Sequence, residues 1–192
     1  MKRVLVTGVG GFIGSELARQ LSQNGVSVLG VDNFSLGHET NVPESIDFAA
    51  GDLSDSAFVA ELATEPYDAI FHLAGQSGGE LSFSDPLFDI DANVRSTHLL
   101  VQLMVRTGSQ KLVYASSVAA YGDVAAPVDG LTENQQVHET SPYGVSKHSS
   151  EKYLRVLAGH HDLHTASLRL FNVYGPGQDL SRMNQGMLSI YL

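Results

Sequence analysis

The chain of 192 residues contains no cysteine, and its 11 lysine and arginine residues are outnumbered by 21 aspartate and glutamate residues. The lack of cysteine excludes disulfide bonds, thiolate nucleophiles and cysteine metal sites. The net charge of −10 argues against nucleic acid or an anionic membrane as a partner. Any bound phosphate must therefore be held by local backbone groups, because the protein has no general positive field.

Long hydrophobic runs are also missing. No stretch is long and apolar enough for a membrane span, and no signal-peptide pattern is present, so we expect a cytosolic protein. Hydrophobic residues make up 43% of the chain and charged residues 17%, which is ordinary for a globular protein. A chain of this length can bury one good core, or one core and part of a second.

Strand and helix patterns alternate along the whole sequence. Strands are predicted near 3–7, 26–31, 46–50, 68–73, 111–116 and 164–170, and helices near 12–24, 55–64, 86–107, 142–158 and 184–192. This alternation predicts an α/β fold with a doubly wound, Rossmann-type parallel sheet. Ligands of such sheets bind at the carboxyl ends of the strands. Two polar segments near that edge, 76–85 and 122–141, are candidate lids.

The first predicted strand runs directly into a glycine-rich segment, Gly8-Val9-Gly10-Gly11-Phe12-Ile13-Gly14, which opens a predicted helix. Glycines at 8, 11 and 14 suit a tight turn, a close approach of backbone to a pyrophosphate, and close packing of helix on strand. The N–H groups of the helix N-terminus attract phosphate. A glycine-rich corner without a ligand is the alternative, and from the pattern alone Phe12 and Ile13 are predicted core residues.

Acidic residues end the second and third predicted strands. Asp32 lies eighteen positions after Gly14, close to the distance at which a carboxylate holds a ribose 2′-hydroxyl. A carboxylate there repels a 2′-phosphate, and no arginine or lysine follows over residues 33–41, so the sequence predicts NAD and not NADP. A capping role in a loop is the alternative for Asp32. Asp52 either edges the adenine pocket or, like Ser54, caps the next helix.

Tyr143 and Lys147 lie four residues apart in a predicted helix, so their polar ends can meet on one face. A lysine ammonium lowers the pKa of a nearby phenol, which is otherwise about 10. Lowering it by roughly three units requires about 4 kcal/mol, more than one exposed lysine supplies. We therefore expect a second positive charge nearby, such as an oxidised nicotinamide ring. The alternative is an ordinary helix pair.

A hydroxyl is predicted at the same edge of the sheet. Ser117 follows the fifth predicted strand and is placed to bind a substrate oxygen while the Tyr143 phenolate takes its proton. A turn or capping hydroxyl is the alternative. The glycine loop, the serine and the Tyr/Lys helix occur in the order that one Rossmann site requires, which favours the site.

Eight motifs occur in order along the chain. They are Thr7-Gly8-x-x-Gly11-Phe12-Ile13-Gly14, Asp32-Asn33, Asp52-Leu53, His72-Leu73-Ala74-Gly75, Asn93-Val94-x-x-Thr97, Ser116-Ser117-x-x-x-Tyr121-Gly122, Pro142-Tyr143-Gly144-x-Ser146-Lys147 and Leu168-Arg169-x-Phe171-Asn172-Val173-Tyr174-Gly175-Pro176. Together they resemble the extended short-chain dehydrogenase/reductases, specifically their NAD-dependent sugar epimerase/dehydratase group. The resemblance extends over essentially the whole chain and is greatest to nucleotide-sugar 4-epimerases of the UDP-glucose type.

The resemblance implies a role for each residue. Tyr143 would be the acid/base, Lys147 would lower its pKa and hold the nicotinamide ribose, and Ser117 would bind the reacting sugar hydroxyl. Asn172 would contact the phosphates of the sugar nucleotide. Asn93 would be a buried support, with Ser96 in place of the usual glycine, which affects helix packing. The NAD site would be formed by Gly8, Gly11, Phe12, Ile13, Asp32, Asn33, Asp52 and Leu53, with Leu73 and Ala74 near the nicotinamide.

Absent residues narrow the reaction that the resemblance implies. Sugar 4,6-dehydratases of this family carry an Asp-Glu pair directly after the active-site hydroxyl, and uronate decarboxylases carry a glutamate there. This chain has Val118 and Ala119. The 3,5-epimerases and epimerase-reductases use a cysteine. The expected reaction is therefore epimerisation at C4 of a nucleotide sugar through a transient 4-keto sugar. An NAD-binding fragment or sensing module without turnover, and a nucleotide-sugar dehydratase or reductase, are the alternatives.

The resemblance also divides the chain. Residues 1–170 would form the NAD-binding domain with the catalytic residues, and residues 171–192 the beginning of a smaller substrate domain. Relatives continue beyond the apolar run in which this chain ends, so we expect most of that domain to be missing. Helices 86–107 and 142–158 would form a homodimer interface. His160, His161 and His164 are predicted surface residues and not metal ligands.

Overall fold

The computed structural model describes residues 1–124, 130–175 and 178. Its six strands are β1 (Arg3–Thr7), β2 (Ser27–Asp32), β3 (Asp47–Ala50), β4 (Ala69–His72), β5 (Lys111–Ser117) and β6 (His164–Leu170). They form one sheet in the order β3-β2-β1-β4-β5-β6, and every pairing is parallel. The predicted α/β fold with a doubly wound sheet is confirmed.

Helices connect the strands on both sides of the sheet. They are α1 (Phe12–Gln23), α2 (Ser56–Glu61), α3 (Gly79–Ser84), α4 (Pro86–Ile90), α5 (Ser96–Thr107) and α6 (Pro142–His161). The candidate lid over 76–85 contains α3, and the predicted helix over 184–192 lies outside the described residues. In the part of the chain that is described, no helix is long and apolar enough to cross a membrane.

The helix predicted over 86–107 is not continuous. A π-helical turn, Asp91–Arg95, separates α4 from α5. Such turns insert one extra residue and are frequent at functional sites, because they redirect side chains from the regular helix face. Here the π turn contains Asn93, which is completely buried. Helical periodicity could not predict it.

Capping residues explain where two of the helices begin. The Ser141 hydroxyl accepts a hydrogen bond from the Gly144 N–H at 3.1 Å, and a proline at the first helical position favours the start of α6. The Asp55 carboxylate accepts from the Ala57 N–H at 2.8 Å and caps α2. The cap of this helix is therefore Asp55, and the alternative that assigned the cap to Asp52 or Ser54 is wrong.

The strand β1 is buried on both faces. Leu5 belongs to one apolar cluster, which extends to α2, α5 and α6, whereas Val4 and Val6 belong to a second cluster that includes Ala18 of α1. Each of these side chains contributes roughly 2 kcal/mol by leaving water. The two clusters fix β1 at the centre of the sheet, next to β4. The chain reverses its winding at that point, and the carboxyl ends of β1 and β4 open the crevice in which ligands of such folds bind.

A buried histidine links the two central strands to the π turn. The Thr97 hydroxyl donates to the Asn93 carbonyl at 2.6 Å, so it can only accept from Nε2 of His72, 3.0 Å away. His72 therefore carries its proton on Nε2, and its Nδ1 accepts from the Thr7 hydroxyl at 2.9 Å. Burial lowers the pKa of His72 to about 3. The imidazole is neutral in the folded protein, and both of its nitrogens are satisfied.

We expect this histidine to make the fold sensitive to acid. The unfolded chain takes up the His72 proton near pH 6.5, whereas the folded chain does so only near pH 3, so acidification favours unfolding throughout that window. The loss at pH 5 is about 2 kcal/mol. Urea unfolding at pH 7.5 and pH 5 measures it. His72→Gln should lose less stability between the two pH values than the unaltered protein. His164→Gln, at an exposed histidine, should lose as much as the unaltered protein. An equal loss in all three proteins refutes the assignment.

Candidate active site

A cleft of about 410 Å³ lies at the carboxyl edge of the sheet. The loops after β1, β2 and β4 form one part of it, and the ends of β5 and β6 and the start of α6 form the other. All site residues named from the sequence line this single cleft: Gly8, Gly11, Phe12, Ile13, Asp32, Asn33, Asp52, Leu53, Leu73, Ala74, Ser117, Tyr143, Lys147 and Asn172. Phe12 and Ile13, expected as core residues from the pattern alone, thus face the cleft.

The glycine loop between β1 and α1 is packed too closely for side chains. Gly8 has a φ of +79°, and a Cβ there would lie 2.7 Å from the Ala74 nitrogen. A Cβ on Gly14 would lie 2.0 Å from the carbonyl oxygen of Gly8. Gly11 precedes α1 and has no side chain to cap it, so the first N–H groups of the helix are open to an anion. This arrangement fits a pyrophosphate.

The Asp32 carboxylate organises the loops around it. Its Oδ2 accepts from the Gly10 N–H at 2.9 Å and its Oδ1 from the Phe34 N–H at 2.8 Å. The side chain thus has the capping role that the sequence left as an alternative, and it also lines the cleft. Each carboxylate oxygen accepts more than one hydrogen bond, so a ribose hydroxyl can still bind.

A second carboxylate lies beside it. Asn33 Nδ2 donates to Asp52 Oδ2 at 3.0 Å, and the Ser54 N–H donates to Asp52 Oδ1 at 2.7 Å. Burial opposes the charge, but the hydrogen bonds from Ser54 and Asn33 outweigh it and lower the pKa of Asp52. Asp52 is therefore an acceptor at neutral pH, at the end of the cleft where the adenine was expected.

Tyr143 lies at the other end of the cleft, in the first turn of α6, and is only 9% exposed. Burial raises the pKa of its phenol, the nearby Ser117 hydroxyl lowers it, and the charge of Asp89 raises it. The net effect is a pKa above the usual value, so the phenol is neutral at pH 7 in this structure. Proton abstraction by Tyr143 therefore requires a further positive charge.

Lys147 lies one helical turn further along, and the hydrogen bond of its ammonium goes to the backbone. Nζ donates to the carbonyl of Ala115 at 3.0 Å and lies 5.7 Å from the centre of the Tyr143 ring. Burial lowers the pKa of Lys147 to about 8, while the charges of Asp89 and Glu151 raise it. The bond to Ala115 fixes the ammonium at the end of β5, where it lines the cleft.

Ser117 is the last residue of β5. Its Oγ accepts from the Ala119 N–H at 3.2 Å and caps a short 3₁₀ turn, Val118–Ala120. The capping role that was the alternative is therefore present, and the hydroxyl also lines the cleft beside the Tyr143 phenol. Val118 lines the same wall. An aliphatic side chain here offers neither an acid nor a base.

Sequence reasoning missed an ion pair behind the site. Glu151 Oε2 lies 2.7 Å from Arg169 Nη2, and Glu151 Oε1 accepts from the Ser116 hydroxyl. Although burial raises it, the pKa of Glu151 is lowered overall by Arg169 and Ser116. The pair joins α6 to β5 and β6 and so holds the serine strand against the tyrosine helix. The spacing of Glu151, four residues after Lys147, was the available signal.

Sequence reasoning also missed Asp89, a completely buried carboxylate beside the π turn. An acidic residue between Phe88 and Ile90 in a largely apolar helix was its only signal. In the described part of the chain, no group of three or more acidic or histidine side chains is placed to hold a metal ion.

Comparison with known proteins supports this arrangement. The chain matches the NAD dependent epimerase/dehydratase family over residues 4–191. It is 36% identical to the UDP-glucose 4-epimerase of Mycolicibacterium smegmatis over 183 residues, which cover 92% of this chain and 58% of that protein.

Solved structures agree. The UDP-glucose 4-epimerase of Thermotoga maritima, solved with UDP-glucose, is 31% identical with a TM-score of 0.90, over 98% of this chain and 61% of that one. The UDP-glucose 4-epimerase of Thermus thermophilus, in complex with NAD, is 36% identical with a TM-score of 0.87, and the match covers 98% of this chain and 60% of that one. The chain thus spans about 60% of the length of these relatives. NAD, the cofactor expected from the sequence, is the cofactor of the matching family, and the chain belongs to the NAD dependent epimerase/dehydratase family.

Proposed function

We propose that this chain provides the NAD-binding and proton-transfer part of an enzyme that epimerises C4 of a nucleotide sugar, with a UDP-linked sugar as the expected substrate. One observation carries the proposal: Ser117, Tyr143 and Lys147 line the same cleft as the glycine loop. The UDP-glucose 4-epimerases to which the chain is similar support the substrate class.

In this proposal the cleft holds NAD along its length. Gly11 and the N-terminus of α1 would hold the pyrophosphate, Asp32 would accept from the adenine-side ribose, and Asp52 and Leu53 would border the adenine. Leu73 and Ala74 would lie beside the nicotinamide. NAD, when bound, supplies the acceptor and donor of the C4 hydride. The closely packed glycines support this placement, because side chains at Gly8 and Gly14 would collide with backbone.

Proton transfer is assigned to Tyr143. Ser117 would hold the C4 hydroxyl, and Tyr143 would remove the hydroxyl proton when the C4 hydride is taken up by the cofactor. After the 4-keto sugar has rotated, Tyr143 would return the proton when the hydride is delivered to the opposite face of C4. Lys147 holds the nicotinamide ribose. Asn172, which lines the cleft beyond β6, contacts the sugar-nucleotide phosphates. Val118 and Ala119 offer no further acid or base, which supports epimerisation over elimination of water.

The test incubates UDP-galactose or UDP-N-acetylgalactosamine with the chain and catalytic NAD⁺ and follows the sugar by NMR. Appearance of the C4 epimer supports the proposal. A fluorescence titration with NADH and NADPH accompanies this assay, and a preference for NADPH refutes the role of Asp32.

The second candidate function is an NAD-binding fragment or sensing module without turnover. It is favoured because the chain spans only about 60% of the length of its relatives. Binding without conversion, together with conversion by a lengthened chain, supports that candidate.

We also propose that the protein forms a homodimer through α5 and α6. Their outer surface exposes apolar side chains, among them Val105 at 47%, Tyr153 at 51% and Val156 at 65%. Large exposed apolar side chains clustered on neighbouring helices favour a protein interface. We expect light scattering to give the mass of two chains and Val156→Glu to give the mass of one. A monomer at all concentrations of the unaltered protein refutes the dimer.

A further inference from the structure

Asp89 is the most deeply buried carboxylate beside the Tyr143/Lys147 site. It lies in α4 and is completely buried. Its Oδ1 accepts from Asn93, whereas its Oδ2 makes no hydrogen bond of normal geometry within the described residues. A buried carboxylate is costly unless a charge or hydrogen bonds compensate it. None of the functions assigned above uses this group.

The contacts of Asp89 determine which way the Asn93 amide faces. Asn93 Nδ2 donates to Asp89 Oδ1 and to the carbonyl of Gln76, both at 3.1 Å. Both amide hydrogens are then used, and an ionised carboxylate can only accept, so the nitrogen must face Asp89. The amide oxygen consequently faces Gly75. A Cβ built on Gly75 would lie 2.5 Å from Asn93 Oδ1 and 3.3 Å from Lys147 Nζ. The amide oxygen and the ammonium therefore both lie next to Gly75.

Few charges surround the Lys147 ammonium. The ring of Tyr114 lies 4.9 Å from Nζ and that of Tyr143 5.7 Å away, while His72 is neutral. The remaining groups are the carboxylates of Glu151, on α6, and Asp89, on α4. Glu151 is already paired with Arg169, whereas Asp89 forms no ion pair among the described residues, so its charge is not neutralised by another cation.

The electrostatics agree with this geometry. Burial raises the pKa of Asp89 above its usual value overall, and the nearby Ser146 hydroxyl, Asn93 and Lys147 offset only part of that increase. Among the groups that raise the pKa of Lys147 against its burial, Asp89 has the largest effect. The two charges therefore support each other across the interface between α4 and α6.

We propose that Asp89 is a positioning residue of this site: its carboxylate sets the orientation of the Asn93 amide and places a compensating negative charge behind the Lys147 ammonium. The side chain acts through Asn93 and Lys147 and contacts neither cofactor nor substrate. The inference rests on the proposed function only for the role of Lys147. Its test is therefore a titration of the protein itself, whose result does not depend on turnover.

The test measures the pKa of Lys147 by NMR of the lysine ¹³Cε resonances. The chain has only four lysines, Lys2, Lys111, Lys147 and Lys152, and the signal that disappears in Lys147→Arg identifies the one of interest. Asp89→Asn keeps the shape and an acceptor oxygen for Asn93 but removes the charge. We expect it to lower the pKa of Lys147 by about one unit. Asp91→Asn, two positions away at a half-exposed carboxylate, should leave the pKa of Lys147 unchanged.

A second variant separates orientation from charge. Asp89→Ala removes the acceptor as well, so it should shift the side-chain NH₂ resonances of Asn93 strongly, whereas Asp89→Asn should shift them little. If neither variant folds, a pH titration of the unaltered protein tests the proposal. The Asp89 ¹³Cγ resonance follows protonation of the carboxyl, and the Lys147 ¹³Cε resonance should show a mirrored inflection at the same pH. An unchanged Lys147 pKa in Asp89→Asn, or no mirrored inflection, overturns the proposal. Failure of the epimerisation assay leaves these results intact and bears only on the proposed function.

Discussion

Replacing Tyr143 by phenylalanine is expected to reduce epimerisation by about a thousandfold, within the range for loss of a general acid/base. The aromatic ring still fills its buried position, so NADH affinity should change little. Kinetics by NMR and a fluorescence titration measure the two quantities. Tyr153→Phe is the matched control, because Tyr153 lies on the same helix but does not line the cleft. A Tyr143→Phe protein that keeps more than about a tenth of the rate contradicts the assignment.

The same variant reports the pKa of Tyr143 without any turnover. The ultraviolet difference between the unaltered protein and Tyr143→Phe follows phenolate formation alone. Without NAD⁺ the pKa should lie above about 10, because burial outweighs the Ser117 hydroxyl. Addition of NAD⁺ should lower the pKa, since a positively charged ring beside the phenol favours the phenolate. An unchanged pKa removes the reason for calling Tyr143 the base.

Replacing Gly14 by alanine should damage both the fold and the cofactor site. The new Cβ would lie 2.0 Å from the Gly8 carbonyl oxygen, and neither backbone segment can give way without moving α1. We expect a loss of stability of about 3 kcal/mol. Because α1 presents its N-terminus to the pyrophosphate, NADH affinity should fall by about tenfold or more, equivalent to ~1.4 kcal/mol.

The control for this change is another glycine within a helix. A Cβ on Gly159, in α6, meets no atom within 4 Å. Gly159→Ala should therefore raise stability by about 0.5–1 kcal/mol, since alanine favours the helix, and leave NADH affinity unchanged. Urea unfolding and NADH titration on both variants decide the matter. Equal effects at the two glycines would falsify the close-packing argument.

Local patterns were sufficient to predict the strands and part of the cleft, such as Asp32 and Ser117, whereas Leu73, Ala74 and Asn172 were predicted only by the family resemblance. Apolar runs bounded by glycine and polar residues place β1 and its neighbours, and their carboxyl ends share one edge in any parallel sheet. Residues at those ends, such as Asp32 and Ser117, are therefore brought together by topology alone. The helix over 86–107 was predicted in its extent but not in its interruption, because the π turn at Asn93 has no periodic signal.

The sequence by itself thus determined the sheet, its order of elements and the ligand edge, since all three follow from hydrophobic periodicity and from the handedness of parallel connections. Only the tertiary structure decided the charges at the site. The distance between Lys147 and Tyr143, the pKa of the phenol and the position of Asp89 depend on burial and on contacts between α4, β5 and α6. Those quantities arise from groups distant in sequence, and desolvation acts only once the core has closed around them.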